Sequence, residues 1–381
     1  MKRDLSVYIH IPFCEKKCGY CDFYSFVPSK EETMERYVEM LAREAALYEE
    51  ELRARNIRTI YIGGGTPSML GSDRLLRAIE PLMPFVETGA EVTIEGNPES
   101  VRTLDVGALT TGGINRFSMG VQSGSDRLLD VMGRIHDVET ARRAFDHLRE
   151  GGAENINLDF ISSVPTESDV DIEKSLALVE SLDPEHVSVY SLIVEEGTPF
   201  YKQYGHLGTE RDEEDRRHVH RYERRLERLS YAQYEISNFA KPGYRCRHNL
   251  HYWTLGEYIG LGAGSSGYLN GVRYRNETDM HQYGEKIARG VKPVAAYEKL
   301  TDLDRDNEYM MLGIRLNEGI PLDEPIPSGA RFIDRYKAEI ERNIERGLLE
   351  IRDERVALTA RGRDLSNRVE VDFFRLSDEE A

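Results

Sequence analysis

Six times in its first half the chain runs through a short apolar stretch, a polar loop and an amphipathic helical pattern. The apolar stretches are SVYIHIPF from Ser6, TIYIGGG from Thr59, EVTIEGNP from Glu91, INRFSMGVQS from Ile114, NINLDFI from Asn155 and HVSVYSLIV from His186. Runs of this length rich in Val, Ile, Tyr and Phe read as strands. Between them, ETMERYVEMLAREAALYEEEL and DVETARRAFDHLREGG space their apolar residues as helices do, the second closed by Gly151 and Gly152. Strands that alternate with helices predict an α/β fold with a parallel sheet curved into a barrel or partial barrel. Chemistry in such folds sits at the carboxyl ends of strands, and Cys14, Gly63 to Thr66, Glu95, Gln122 and Asp159 all fall there.

From about Tyr231 the theme changes to YAQYEISNFA and a Gly-rich YIGLGAGSSGYLNG, and after GVKPVAAYEKL the chain turns to helices. GLLEIRDERVALTARGRDLSNRV, Gly347 to Val369, reads as two short strands with a turn beside helices, a winged-helix-like α+β module. A large and a smaller domain are what 381 residues predict. The expected division is a barrel over 1–240, a connecting region over 241–300 and a C-terminal domain over 301–381. Winged helices often read DNA, but this tail is rich in carboxylates, and the net charge of -18 argues against a general nucleic-acid binder, though not against a local basic pocket. TERDEEDRRHVHRYERRLERL, Thr209 to Leu229, alternates both signs and reads as a solvated helix face. No run of about 18 apolar residues predicts a membrane span. Nor does a secretory leader open the chain, so the reducing cytosol is the expected compartment.

Three of the four cysteines, Cys14, Cys18 and Cys21, stand within eight residues at the spacing C-x3-C-x2-C. An odd set in a long chain of this kind is not a disulfide framework. A structural zinc site is the rival reading, although it usually takes four Cys or His ligands and no fourth lies nearby. Three thiolates on a [4Fe-4S] cluster leave one iron free for chemistry.

With Tyr20 before the last cysteine and a strand before the first, this loop resembles that of radical S-adenosylmethionine enzymes. The resemblance implies a partial (β/α)6 barrel in which the open iron is chelated by the methionine amino and carboxylate groups of the cofactor. It implies that Cys14, Cys18 and Cys21 ligate the cluster. GGGTPS from Gly63 resembles the Gly-Gly motif that meets the methionine amino group. Tyr8, Tyr20, Gly64, Gly65, Thr66, Glu95, Gln122, Arg134 and Asp159 are then the implied cofactor contacts. Taken singly, each has a plainer reading as a turn glycine, a strand-end cap or a surface Arg.

The wider pattern is similar to the oxygen-independent coproporphyrinogen III oxidase family and, within it, to the HemW-type haem chaperones. The oxidases carry a further Cys two residues after the third ligand, where this chain has Phe23. The chaperone branch carries H-N-x-x-Y-W, present here as HNLHYW from His248 to Trp253. The resemblance implies haem binding at His248 and delivery to apo-haemoproteins, respiratory ones among them. Tyr252 and Trp253 offer flat apolar surface, and Arg245 or Arg247 could meet propionates. Read from residue chemistry alone, His248 is instead a core histidine satisfied by Asn249, and Cys246 a half-buried free thiol. Oxidative decarboxylation of coproporphyrinogen III and radical methylation are the rival activities. SSVPTES, Ser162 to Ser168, replaces the usual G-L-P-G-Q-T, Ser265 to Gly267 replaces Ala-His-Ser, and Gly124 stands where Phe is common. These departures put the geometry of the substrate side in doubt.

Overall fold

The computed structural model describes residues 2–207 and 212–376. Six parallel strands form its centre: β1 (Arg3–Ile11), β2 (Arg55–Gly64), β3 (Val86–Gly96), β4 (Arg116–Gln122), β5 (Ile156–Ser162) and β6 (His186–Ser191). They occupy the positions expected from the apolar stretches, with helices between them. The helix Val138–Glu150 ends at Gly151, and Gly152 takes a left-handed φ of 91°, as its closing glycines predict.

Side chains alternate between two very different surroundings. Val7, Ile9, Ile60, Ile62, Val92, Ile94, Met119, Leu158 and Val187 face outward and form one apolar core. On the other face stand Ser6, Tyr8, His10, Thr59, Tyr61, Glu91, Glu95, Arg116, Ser118, Asn157, Asp159 and His186. These polar groups bond to one another across neighbouring strands: Thr59 to Ser6, Tyr61 to Glu95, Ser118 to Asp159, and Asn157 to both Ser118 and His186. The apolar core therefore lies outside the barrel wall, and the lumen is polar.

The sheet continues past both edges of the barrel. β7 (Ala232–Gln233) and β8 (Asn238–Ala240) extend it from β6, with β8 antiparallel to it. β9 (Tyr258–Leu261) pairs in parallel with β1, and β10 (Ser266–Leu269), β11 (Val272–Asn276) and β12 (Val294–Lys299) follow as antiparallel neighbours. The result is a 12-stranded sheet. A separate three-stranded sheet of β13 (Ile320–Pro321), β14 (Leu349–Arg352) and β15 (Arg355–Leu358) packs with the helices Asp302–Gly313, Phe332–Glu345 and Ser366–Phe373 around its own apolar cluster. β14 and β15 are the hairpin expected in the winged-helix-like tail, turning at Asp353 and Glu354, both at positive φ.

The charged helix is present as Asp212–Arg228; residues 209–211 of the expected stretch lie outside the described residues. One face of it is not solvated, since His218, Tyr222 and Leu226 are buried. Among the described residues no helix is long and apolar enough to cross a membrane.

Candidate functional site

The cysteine loop is anchored at both ends before it reaches the mouth of the barrel. At its base, the Cys14 amide donates to the Phe26 carbonyl at 3.0 Å and the Phe26 amide to Pro12 at 2.8 Å. Its tip is held by the Gly19 amide on Met132 and by the Phe200 amide on Gly19. Thr66 Oγ1 lies 3.6 Å from Cys14 Sγ, and Arg134 Nη1 lies 3.4 Å from Cys18 Sγ. Burial, and then the nearby Cys18 and Cys14 sulfurs, push the Cys21 thiol up. Among the described residues no group of three Cys, His, Asp or Glu is arranged to hold a single metal ion. A cubane spreads its thiolates over separate irons. Donors aimed at sulfur from Thr66 and Arg134 suit such a cluster.

Beside this loop, the end of β2 forms a cradle. Gly64 has φ of 113°, and a Cβ there would stand 2.5 Å from the His10 ring, so only glycine fits. The Gly65 and Thr66 amides donate to Ile11 and Phe13 carbonyls at 2.8 and 2.7 Å, tying the cradle to the cysteine loop. Glu95 accepts from the Gly64 amide at 3.1 Å and from the Tyr61 hydroxyl at 2.7 Å. Burial, more than the neighbouring Asp159, raises its pKa to about 7. Burial likewise raises Asp159, which accepts from Ser118 and Asn157.

Arg134 also donates to Asn97 Oδ1 at 2.6 Å and to the Gly120 carbonyl at 2.9 Å, and Tyr20, packed edge-on to Phe200, stands beside the same guanidinium. Gln122 closes β4 at φ 68°, a left-handed conformation rare for a non-glycine and frequent at binding sites. Tyr8 shares a hydrogen bond of 3.0 Å with His10 Nδ1. The structure thus brings Tyr8, Tyr20, the three cysteines, Gly64 to Thr66, Glu95, Gln122, Arg134 and Asp159 to one end of the barrel. His10 and Asn97 belong to the same constellation and were not singled out above. Their signal was position: His10 alternates in phase with Tyr8, and Asn97 follows Glu95 in EGNP.

His248 is elsewhere. The helix Arg247–Trp253 packs on the lumenal side of β2 and β3 at Thr59 and Glu91, away from the cysteine loop. Glu91 holds its first turn, accepting from the Arg247 and His248 amides at 3.0 and 3.1 Å and lying 3.6 Å from the Cys246 sulfur. The His248 ring is 1% exposed and stacks on Tyr61, with centroids 5.0 Å apart. Its Nδ1 meets Thr59 Oγ1 at 2.7 Å and its Nε2 meets the Tyr252 hydroxyl at 2.8 Å. Since the Thr59 hydroxyl donates to Ser6, Nδ1 carries the proton and Nε2 accepts from Tyr252. Burial holds the ring neutral by lowering its pKa. The partners of the imidazole are thus Thr59 and Tyr252 rather than Asn249. Arg245 lies near Glu318 and over the Tyr234 ring, and exposed Arg247 donates to Gly89. Cys246 is fully buried rather than half-buried, and burial pushes its thiol up to about 12.

The departures on the substrate side have structural partners of their own. Ser163 and Thr166 both take left-handed φ, 64° and 74°, at the two positions where G-L-P-G-Q-T has glycine. The loop is held by Glu167, which accepts from the Ser163 amide at 2.6 Å and pairs with buried His218 at 3.2 Å. At Gly124 any Cβ would stand 2.6 Å from the backbone of Lys174 and Ser175, so a Phe there would force the helix Asp169–Leu182 away.

Residues 8–179 match the Radical SAM superfamily and residues 300–365 the HemN C-terminal domain. A curated relative from Mycobacterium tuberculosis (strain ATCC 25618 / H37Rv), Heme chaperone HemW, is 35% identical over 95% of this chain and 93% of its own length. The chain belongs to the HemW family. Proteins of the same name from Bacillus subtilis (strain 168) and Escherichia coli (strain K12) are each 34% identical, over 96% and 91% of this HemW-family chain and 97% and 91% of their own lengths. The solved structure of Escherichia coli coproporphyrinogen III oxidase, HemN, superposes with a TM-score of 0.79, covering 98% of this chain and 90% of that one at 21% identity. That likeness establishes the fold: a radical SAM partial barrel with a HemN-type C-terminal domain.

Proposed function

We propose that this HemW-family chain is a cytosolic protein that binds haem and passes it to apo-haemoproteins, respiratory ones among them. In this reading Cys14, Cys18 and Cys21 hold a [4Fe-4S] cluster and the mouth of the barrel holds S-adenosylmethionine. The similarity to relatives named heme chaperones along 95% of the chain carries the proposal. Phe23, 61% exposed where the oxidases have a further cysteine, favours it over coproporphyrinogen oxidation. When bound, the cluster and cofactor supply strongly reducing one-electron chemistry.

The chain's own residues do the holding. Gly64, Gly65 and Thr66 present backbone to the methionine amino group, with Glu95 as its carboxylate partner. Arg134 faces the methionine carboxylate, while Gln122, Asp159, Tyr8 and Tyr20 line the remaining walls. His248 is the haem ligand in this reading. A neutral imidazole is the ligating form, and Nε2 carries the lone pair that iron would take. Coordination would require the Tyr252 hydroxyl to leave Nε2 and the helix Arg247–Trp253 to move from its seat, because the ring is buried with both nitrogens bonded.

An anaerobic haem titration followed in the Soret region tests this, comparing wild type with His248→Ala and His248→Gln, each checked for unchanged circular dichroism. Saturable binding in wild type, lost in both folded variants, is the expected result. Binding retained by the variants would place haem elsewhere. No binding by wild type would sink the carrier reading, and products formed from coproporphyrinogen III under anaerobic reduction would then be sought.

A further inference from the structure

Tyr61 stands midway along the lumenal face of β2, and its contacts belong both to the cradle at Glu95 and to the seat of His248. Its hydroxyl donates to Glu95 Oε1 at 2.7 Å, while the other Glu95 oxygen accepts from the Gly64 amide. Its ring stacks on His248 on one side, with 30° between planes, and more distantly on Tyr8, with centroids 6.4 Å apart. Two hydrogen bonds fix His248 in turn, so the ring it supports has a single seat. Packed aromatic contacts are lost rather than stretched when one partner leaves. Tyr61 would then settle differently, and its hydroxyl is one of the two direct donors that orient Glu95.

We propose that Tyr61 is a positioning residue: it holds Glu95 in the orientation that meets S-adenosylmethionine, and its ring makes that cofactor cradle sense whether His248 is in its seat. The second half rests on the haem reading above. It requires that haem and S-adenosylmethionine change each other's affinity by the same factor, because coupling between two ligands is reciprocal.

The first test uses full-length protein reconstituted anaerobically and measures S-adenosylmethionine affinity by equilibrium dialysis across pH. The groups facing Glu95 are Tyr8, Tyr61, Arg116, Asp159 and Tyr190, from five strands. Among these the Tyr61 hydroxyl lowers the Glu95 pKa. Tyr61→Phe keeps the ring and removes that hydroxyl, so affinity at neutral pH falls about tenfold, as loss of a hydrogen bond to a charged group allows. The pH midpoint of binding also moves upward, which a merely structural defect would not produce. Unchanged affinity and midpoint overturn the positioning role.

The second test compares affinity for S-adenosylmethionine with and without saturating haem, in wild type and in Tyr61→Leu. Coupling in wild type that disappears in Tyr61→Leu supports the link; equal coupling in both, or none in wild type, overturns it. A fold defect in Tyr61→Leu is bypassed by Tyr61→Phe, which keeps the stack and must keep the coupling. If wild type binds no haem, the haem reading and the link fall together, and the Glu95 role is decided by the first test alone.

Discussion

Ser163 is strained in two ways at once. Its φ of 64° puts an L-residue in the left-handed region, at a cost of about 1–2 kcal/mol. Its hydroxyl is also buried without a hydrogen-bond partner among the described residues. Ser163→Gly relieves both, while its amide can still donate to Glu167. Glycine gives back part of the gain through the greater entropy of the unfolded chain. The net expectation is a protein more stable by about 1 kcal/mol, read as a higher urea midpoint at unchanged slope. Ser163→Ala is the control: it removes the hydroxyl and keeps the strained φ, so it should recover less. An alanine variant as stable as the glycine one would assign the whole effect to the hydroxyl. The same contrast explains why the departure from G-L-P-G-Q-T was visible in the sequence while its consequence was not. Letters show that glycine is missing; only the backbone shows that a glycine conformation has been kept, with the Glu167–His218 pair holding the loop in place.

At the scale of elements, Glu44 joins the helix Glu31–Ala46 to the Gly-rich turn after β9. It accepts from the Gly262 amide, Asn276 Nδ2 and the Tyr283 hydroxyl, and burial raises its pKa to about 7. A carboxyl with a raised folded pKa holds a proton that the unfolded chain has already released. Its stabilising contribution is therefore complete below the unfolded value of 4.5 and lost as pH rises through about 7. Thermal unfolding across that range should show wild type losing on the order of 3 kcal/mol relative to Glu44→Gln, whose amide does not titrate. Parallel pH profiles for the two proteins would contradict this. The six central strands were legible because each alternates and ends in unusual residues. Alternation could not say that the polar face looks into a lumen rather than into water, since both patterns read alike. Neither could it find where HNLHYW packs, because the Thr59–His248 bond joins residues 189 apart in sequence.

For the whole molecule, the chain's single tryptophan stands at the junction of the two cores. Trp253 ends the helix that carries His248, and the Arg315 guanidinium lies 4.6 Å from the centre of its ring. Polar contacts also cross this junction: Asn317 bonds to the backbone of Gln233 and Tyr234, Arg273 pairs with Glu308, and His220 with Asp364. The apolar clusters of the barrel and of the C-terminal module are separate, so each can hold together when the contacts between them are lost. The C-terminal module should therefore undock before the barrel unfolds. Urea titration followed by tryptophan fluorescence should show a transition at lower denaturant than far-ultraviolet circular dichroism. Arg315→Ala removes a contact of about 0.5–2 kcal/mol. It should move the fluorescence transition to still lower urea and leave the circular dichroism midpoint in place. Coincident transitions that shift together would show instead that the junction is part of one cooperative unit, and that the seat of His248 depends on the C-terminal module remaining docked.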